Sequence, residues 1–164
     1  MPQKIKAMKS RCIRHYLAMA VGVIIAAGSL AGCDWTCDYK IIFDNKTADT
    51  IVVAYLDSAI FSSRINGPLT IAPGGSALVI DDYTFDRNPT KDDVIRSMNI
   101  YLPEGFTITS HNGLSRCFLP DSANSQPNSP YVASSFHYES KKWDMGYDLL
   151  AHYEITDSIL LLTW

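Results

Sequence analysis

The sequence predicts a mainly β fold, an antiparallel β-sandwich-like domain with one or two short helices, and three observations lead there. Runs of β-branched and aromatic residues recur along the chain, among them YKIIF at 39–43, TIVVAYL at 50–56 and ALVI at 77–80. Turn chemistry separates them: DNKTAD at 44–49, IAPGGS at 71–76 and PEG at 103–105. Helical periodicity is confined to short windows. The length of 164 residues with 47% apolar content suits one core better than two.

The elements follow in order. The runs at 39–43 and 50–56 flank an Asn/Asp turn and form a hairpin signal. After the glycine turn, 77–80 continues as a strand. Thr90 caps a short helix that runs to about Ser97, with Asp92 and Asp93 in its positive first turn. Residues 99–102 and 106–109 are strands around the PEG turn. The segment DSANSQPNSP at 121–130 is too polar to pack and forms an exposed loop. A strand resumes over 131–138. Ser140 then caps a short helix over 141–150, which sets Trp143, Tyr147 and Leu150 on one face. Residues 152–155 form the last strand, and a short apolar piece ends at Trp164.

Charge is distributed unevenly. Lys4, Lys6, Lys9, Arg11 and Arg14 fall in a leading segment with no acid, and the chain as a whole carries −3. Without those five residues the remainder carries −8, a balance that repels phosphates and argues against a nucleic-acid partner. The basic start is followed by 17 uncharged residues, 16–32, that close on Leu30-Ala31-Gly32-Cys33. A positive leader, a short apolar run and small residues before a cut site are the layout of a secretory signal peptide. The alternative, a membrane-spanning anchor, needs about 20 strongly apolar residues, and this stretch is shorter and rich in Ala and Gly. Met8 also begins a complete leader.

Cysteine directly after Leu-Ala-Gly resembles the bacterial lipoprotein signal with its lipobox. That resemblance implies cleavage before Cys33, with Leu30, Ala31 and Gly32 as the recognised set. It also implies a diacylglyceryl group on the Cys33 thiol and a further acyl chain, such as palmitate, on the new amine. Two or three chains make attachment effectively permanent, since each buried methylene contributes about 0.8 kcal/mol. The expected organisation is a signal peptide over 1–32, a lipidated start and short tether over 33–38, and one β-rich domain over 39–164. The expected location is the bacterial cell envelope, with the outer membrane preferred to the inner and the periplasmic or surface-facing side left open. Asp34 resembles an inner-membrane retention signal of some enteric bacteria, which keeps the leaflet open too.

The rest of the chain resembles small lipoproteins common in gut Bacteroidales. The residues that carry this are the early N-K-T-A-D-T-I at 45–51, the I-A-P-G-G-S turn, and the closing W…Y-E-I-T-D-S-I-L-L-L-T-W. These motifs are structural and imply fold and compartment without supplying a site.

In such a compartment Cys37 and Cys117 form an even pair, and a disulfide between them is the preferred reading over two free thiols. The bridge would close a loop of about 80 residues, worth roughly 4–5 kcal/mol in the chain-entropy model. No CxxC pair exists and the histidines are scattered, so zinc and other cofactors are not expected.

Catalytic motifs are sparse. There is no G-x-S-x-G elbow, P-loop, H-E-x-x-H or EF-hand pattern, and Gly74-Gly75-Ser76 reads as a turn. His111, His137 and His152 are candidates for a site built in space, and Asp81, Asp82, Asp86, Asp92 and Asp93 for calcium without its regular spacing. Aromatic residues number 17 among the 132 from Cys33 onward. Trp35, Tyr83, Phe118 and Tyr131 are candidates for stacking on sugar rings or a protein partner. The expectation is therefore a non-enzymatic, lipid-anchored envelope protein that binds or assembles. Its partner would be a glycan or an envelope protein, and a hydrolase with a site assembled only in three dimensions is the alternative.

Overall fold

Alternation of side chains along ten residues organises the first sheet. In β1 (Thr36–Asn45) Cys37, Tyr39, Ile41 and Phe43 are buried, and the residues between them face outward. β1 lies between β4 (Ser76–Phe85), to which it is antiparallel, and β8 (Gly146–Ile155), to which it is parallel. β7 (His137–Trp143) pairs antiparallel with β8 and completes the order β4-β1-β8-β7. The second sheet is wholly antiparallel: β3 (Leu69–Ile71), β2 (Ile51–Tyr55), β5 (Phe106–Ser110) and β6 (Ser115–Phe118), in that order. Two short helices, α1 (Lys91–Tyr101) and α2 (Asp157–Leu161), accompany them. This is the mainly β, sandwich-like class that the sequence predicts. The computed structural model describes residues 35–56, 68–85, 87–122, 126 and 128–161, so the leader, the lipobox and Cys33 lie outside the described residues. Among the described residues no helix is long and apolar enough to cross a membrane.

The sheets meet through aromatic rings. Phe43 of the first packs against Phe106 of the second at 5.4 Å and against Tyr153 of its own sheet at 5.2 Å, and Phe118 reaches Tyr153 at 6.2 Å. These rings are fully or almost fully buried, and truncating one such residue typically costs about 3–5 kcal/mol. Arg116 points into the same interior opposite Ile108. It donates to the Ile159 carbonyl at 2.8 Å and lies 4.8 Å from the Phe118 ring.

Four expectations are corrected. First, α1 does not stop near Ser97 but continues to Tyr101, so 99–102 is not a strand. Val94 and Met98 are buried at helical spacing and Leu102 N–H bonds back to Met98, so burial overrides the β propensity of Ile100 and Tyr101 until Pro103 ends the turn. Second, 131–138 is mostly turn and 3-10 backbone, with the strand beginning at His137. Third, 141–150 is not a helix. It is the β7–β8 hairpin, turning at Asp144 and Met145, because Leu149, Ala151, Tyr153 and Ile155 are buried with a period of two. Gly146 is needed there. A Cβ at that position would meet Asn88 Oδ1 at 2.5 Å, Trp35 at 2.7 Å and Cys37 Sγ at 2.8 Å. Fourth, Cys37 and Cys117 are both free. Cys37 is buried on the inner face of β1, 3.7 Å from Asn88 Oδ1, whereas Cys117 is exposed on the edge strand β6. Arg116 and Phe118 take the inward positions on either side of it, and alternation turns the Cys117 thiol outward.

Candidate binding cleft

α1 is positioned by its own start. Thr90 accepts from the Asp93 N–H through its hydroxyl, and the Asp93 carboxylate accepts from the Thr90 N–H at 2.8 Å, a complete capping box. Arg87 donates twice to Asp93, at 2.7 and 2.6 Å, and Thr90 Oγ1 adds a further bond at 2.8 Å. The Asp93 carboxyl is held well below the usual carboxylate range, first by the Arg87 hydrogen bonds and then by those from Thr90, against the opposing effect of burial.

With its N-terminus clamped, α1 turns Asp93, Arg96, Ser97, Ile100 and Tyr101 toward the edge strand β4. A cleft of about 360 Å³ lies between them. Tyr39 from β1 and Asp82, Tyr83, Thr84 and Phe85 from β4 line it, and the Tyr83 and Phe85 rings meet edge to face at 4.8 Å. Asp82 Oδ2 accepts from the Tyr39 hydroxyl at 2.6 Å and from the Ser97 and Tyr101 hydroxyls at 3.2 Å each. Its other oxygen accepts the Tyr83 N–H at 2.9 Å. Burial, and then the bond to Asp82, push the Tyr39 phenol far above its ordinary range, so it remains a donor at any physiological pH. Arg96 is exposed and makes no ion pair among the described residues.

The arrangement offers aromatic faces, a carboxylate ringed by hydroxyls and an open guanidinium. That set can hold a hydroxyl-rich small molecule by stacking and by exchange of hydrogen bonds. Its volume is within the range of small-ligand sites.

The candidate residues from the sequence separate as follows. Asp82 and Asp93 both line the cleft. Asp81 faces the other side of β4, 3.8 Å from Lys40, and Asp92 is exposed on the first turn of α1. Asp86 lies outside the described residues, and among the described residues no three acids, histidines or cysteines converge as a metal site. Phe118 and Tyr131 belong to the core, the latter donating to the Leu102 carbonyl at 2.7 Å, while Tyr83 is among the cleft-lining residues and Trp35 packs on Trp143.

Ser76, Asp44 and His152 come together on the outer face of the first sheet. His152 Nδ1 lies 2.9 Å from Asp44 Oδ2, and the Ser76 hydroxyl donates to Asp44 Oδ1. The carboxylate stands between hydroxyl and imidazole, whereas an activated serine needs the imidazole in the middle. His137 is directly across from His152, and His111 is exposed in the turn after β5.

Sequence reasoning missed Tyr39, Phe85, Arg96, Ser97 and Tyr101 as cleft residues. The signal was the spacing 93, 96, 97, 100 and 101 on one helix face, hidden by ending the helix at Ser97. Compared with protein-family models, curated protein sequences and solved structures, the chain matches none.

Proposed function

We propose that this is a non-catalytic binding protein of the bacterial cell envelope, held to the membrane by lipid on Cys33, whose domain takes a hydroxyl-rich ligand in the β4–α1 cleft. The observation that carries the binding role is the cleft itself, with Tyr83 and Phe85 among its lining residues together with Asp82 and Arg96. The anchor reading is supported by Leu30-Ala31-Gly32-Cys33 after a basic leader. Of binding and assembly, the cleft favours binding, and a glycan is the ligand class with the matching chemistry: ring faces to stack and hydroxyls to pair. Two carboxylates line the cleft, as a glycan hydrolase would require. Both oxygens of Asp93 are taken by Arg87 and Thr90, which favours binding over hydrolysis.

A glycan array probed with the full mature protein tests this, with Asp82→Asn and Arg96→Ala as controls. The expected result is a set of bound glycans whose affinity falls about tenfold or more in each variant, since a lost charged hydrogen bond is worth about 1.5–3 kcal/mol. Binding unchanged in both variants, or turnover of a bound glycan, would overturn the reading. Mass spectrometry of the mature N-terminus tests the lipid on Cys33. Protease shaving of intact against lysed cells tells a surface-facing domain from a periplasmic one.

A further inference from the structure

In the first sheet the start of β1 lies beside the ends of β4 and β7 and the start of β8, as the antiparallel and parallel pairings require. One end of the sheet therefore collects Trp35, Phe85, Trp143 and Met145. The Trp35 and Trp143 rings meet edge to face at 5.9 Å, and Phe85 is the register partner of Thr36. Phe85 is 58% exposed, Met145 54% and Trp143 38%, although each is large and apolar. Large apolar groups exposed together mark an interaction surface.

From these positions we infer that this end of the domain docks into the headgroup layer of the membrane that holds Cys33. The inference rests on the lipid-anchor reading above. Trp35 is two positions after Cys33, so at most about 7 Å of extended chain separates them. The headgroup layer is itself roughly 5–8 Å deep on each side of the bilayer. A lipidated Cys33 thus holds Trp35 at the interface, and the neighbouring rings follow at high effective concentration. Indole suits that layer because the ring is apolar and the N–H is polar.

Charge at this end is mixed. Lys141 and Lys142 are exposed beside Trp143, and Asp38, Asp144 and Asp148 oppose them. Asp148 accepts from the Trp143 indole N–H at 3.3 Å and from the Asp38 backbone N–H at 3.1 Å. The rings rather than net charge drive docking, so a zwitterionic surface suffices. Docked this way, the cleft, whose lining includes Phe85, lies close to the headgroups.

The test uses mature lipidated protein in phosphatidylcholine vesicles, with Trp35→Phe and Trp164→Phe leaving Trp143 as the single indole. Phosphatidylcholine brominated near the headgroup end of its chains should quench Trp143 fluorescence about twofold, and lipid brominated near the chain ends should quench it less. If the double variant does not fold, Trp164→Phe alone serves, since both remaining indoles belong to this end. Lipid present on Cys33 by mass, with the indoles unquenched and open to aqueous acrylamide, overturns the docking and leaves the anchor standing. Absence of lipid on Cys33 overturns the anchor and the docking together.

Discussion

β1 carries two polar networks of opposite character. At its C-terminal end Asn45 is fully buried. Its amide donates to the Asp49 and Ile71 carbonyls at 2.7 and 2.9 Å, and its oxygen accepts the Thr47 N–H and hydroxyl at 3.0 and 2.7 Å. Every partner is backbone or a buried threonine, so nothing remains to offer a ligand. This knot ties the turn after β1 to β3, and it explains in physical terms why the N-K-T-A-D-T-I segment is a structural motif. Nearer the start of the strand, Tyr39 joins Asp82, Ser97 and Tyr101, whose partners are hydroxyls on the wall of an open cleft. Hydroxyls rotate and keep lone pairs spare. Similar bond counts thus serve the fold in one place and leave a site in the other. What differs is access to water and the freedom of the donors.

Breaking the closed network should have the largest effect on stability. Asn45→Ala strands the buried Thr47 N–H and takes a donor from the Ile71 and Asp49 carbonyls, the latter keeping the Thr47 hydroxyl, and is expected to cost about 2–4 kcal/mol, read as a lower urea midpoint, with cleft binding unchanged in the folded fraction.

An intermediate effect is expected at Asp93, which borders the cleft but is closed like Asn45. Its folded pKa is depressed, so its contribution is complete above its unfolded pKa of about 4 and is lost as pH falls toward the folded value. Asp93→Asn should cost about 1–2 kcal/mol near neutral pH, because Asn keeps the cap but loses the Arg87 pair. The variant should also lose less stability than the parent between about pH 4 and 2. Thermal melts across that range decide it, and an identical acid limb in both proteins would remove Asp93 from the account.

The smallest effect belongs to the open network. Tyr39→Phe deletes one of several donors to Asp82, and water can enter from the cleft, so a loss of about 1 kcal/mol or less is expected by urea titration. A loss as large as that of Asn45→Ala would show that the cleft wall is structural in the same sense.

Legibility in the sequence followed how local each decision was. The strand runs at 39–43, 50–56, 77–80, 106–109 and 152–155 were visible because alternation and turn chemistry operate over a few residues, and so was the Thr90 cap with its acids in the first turn. Residues 141–150 read as a helix, because Trp143, Tyr147 and Leu150 fit a helix face; the strand period of Leu149, Ala151, Tyr153 and Ile155 runs across the end of that window. The cleft was half visible. Asp82 and Asp93 were singled out for their acidity, but for a cation rather than for a wall of hydroxyls.

The sequence by itself determined the β-rich class, the main turns and the start of α1, because each depends on neighbours within one turn or one strand. Only the tertiary structure decided where α1 ends, that 141–150 is a hairpin, that Cys37 faces in while Cys117 faces out, and that Tyr39, Asp82 and Arg96 share one cleft. Those outcomes depend on which face of each element is buried, and burial is set by partners distant in the chain.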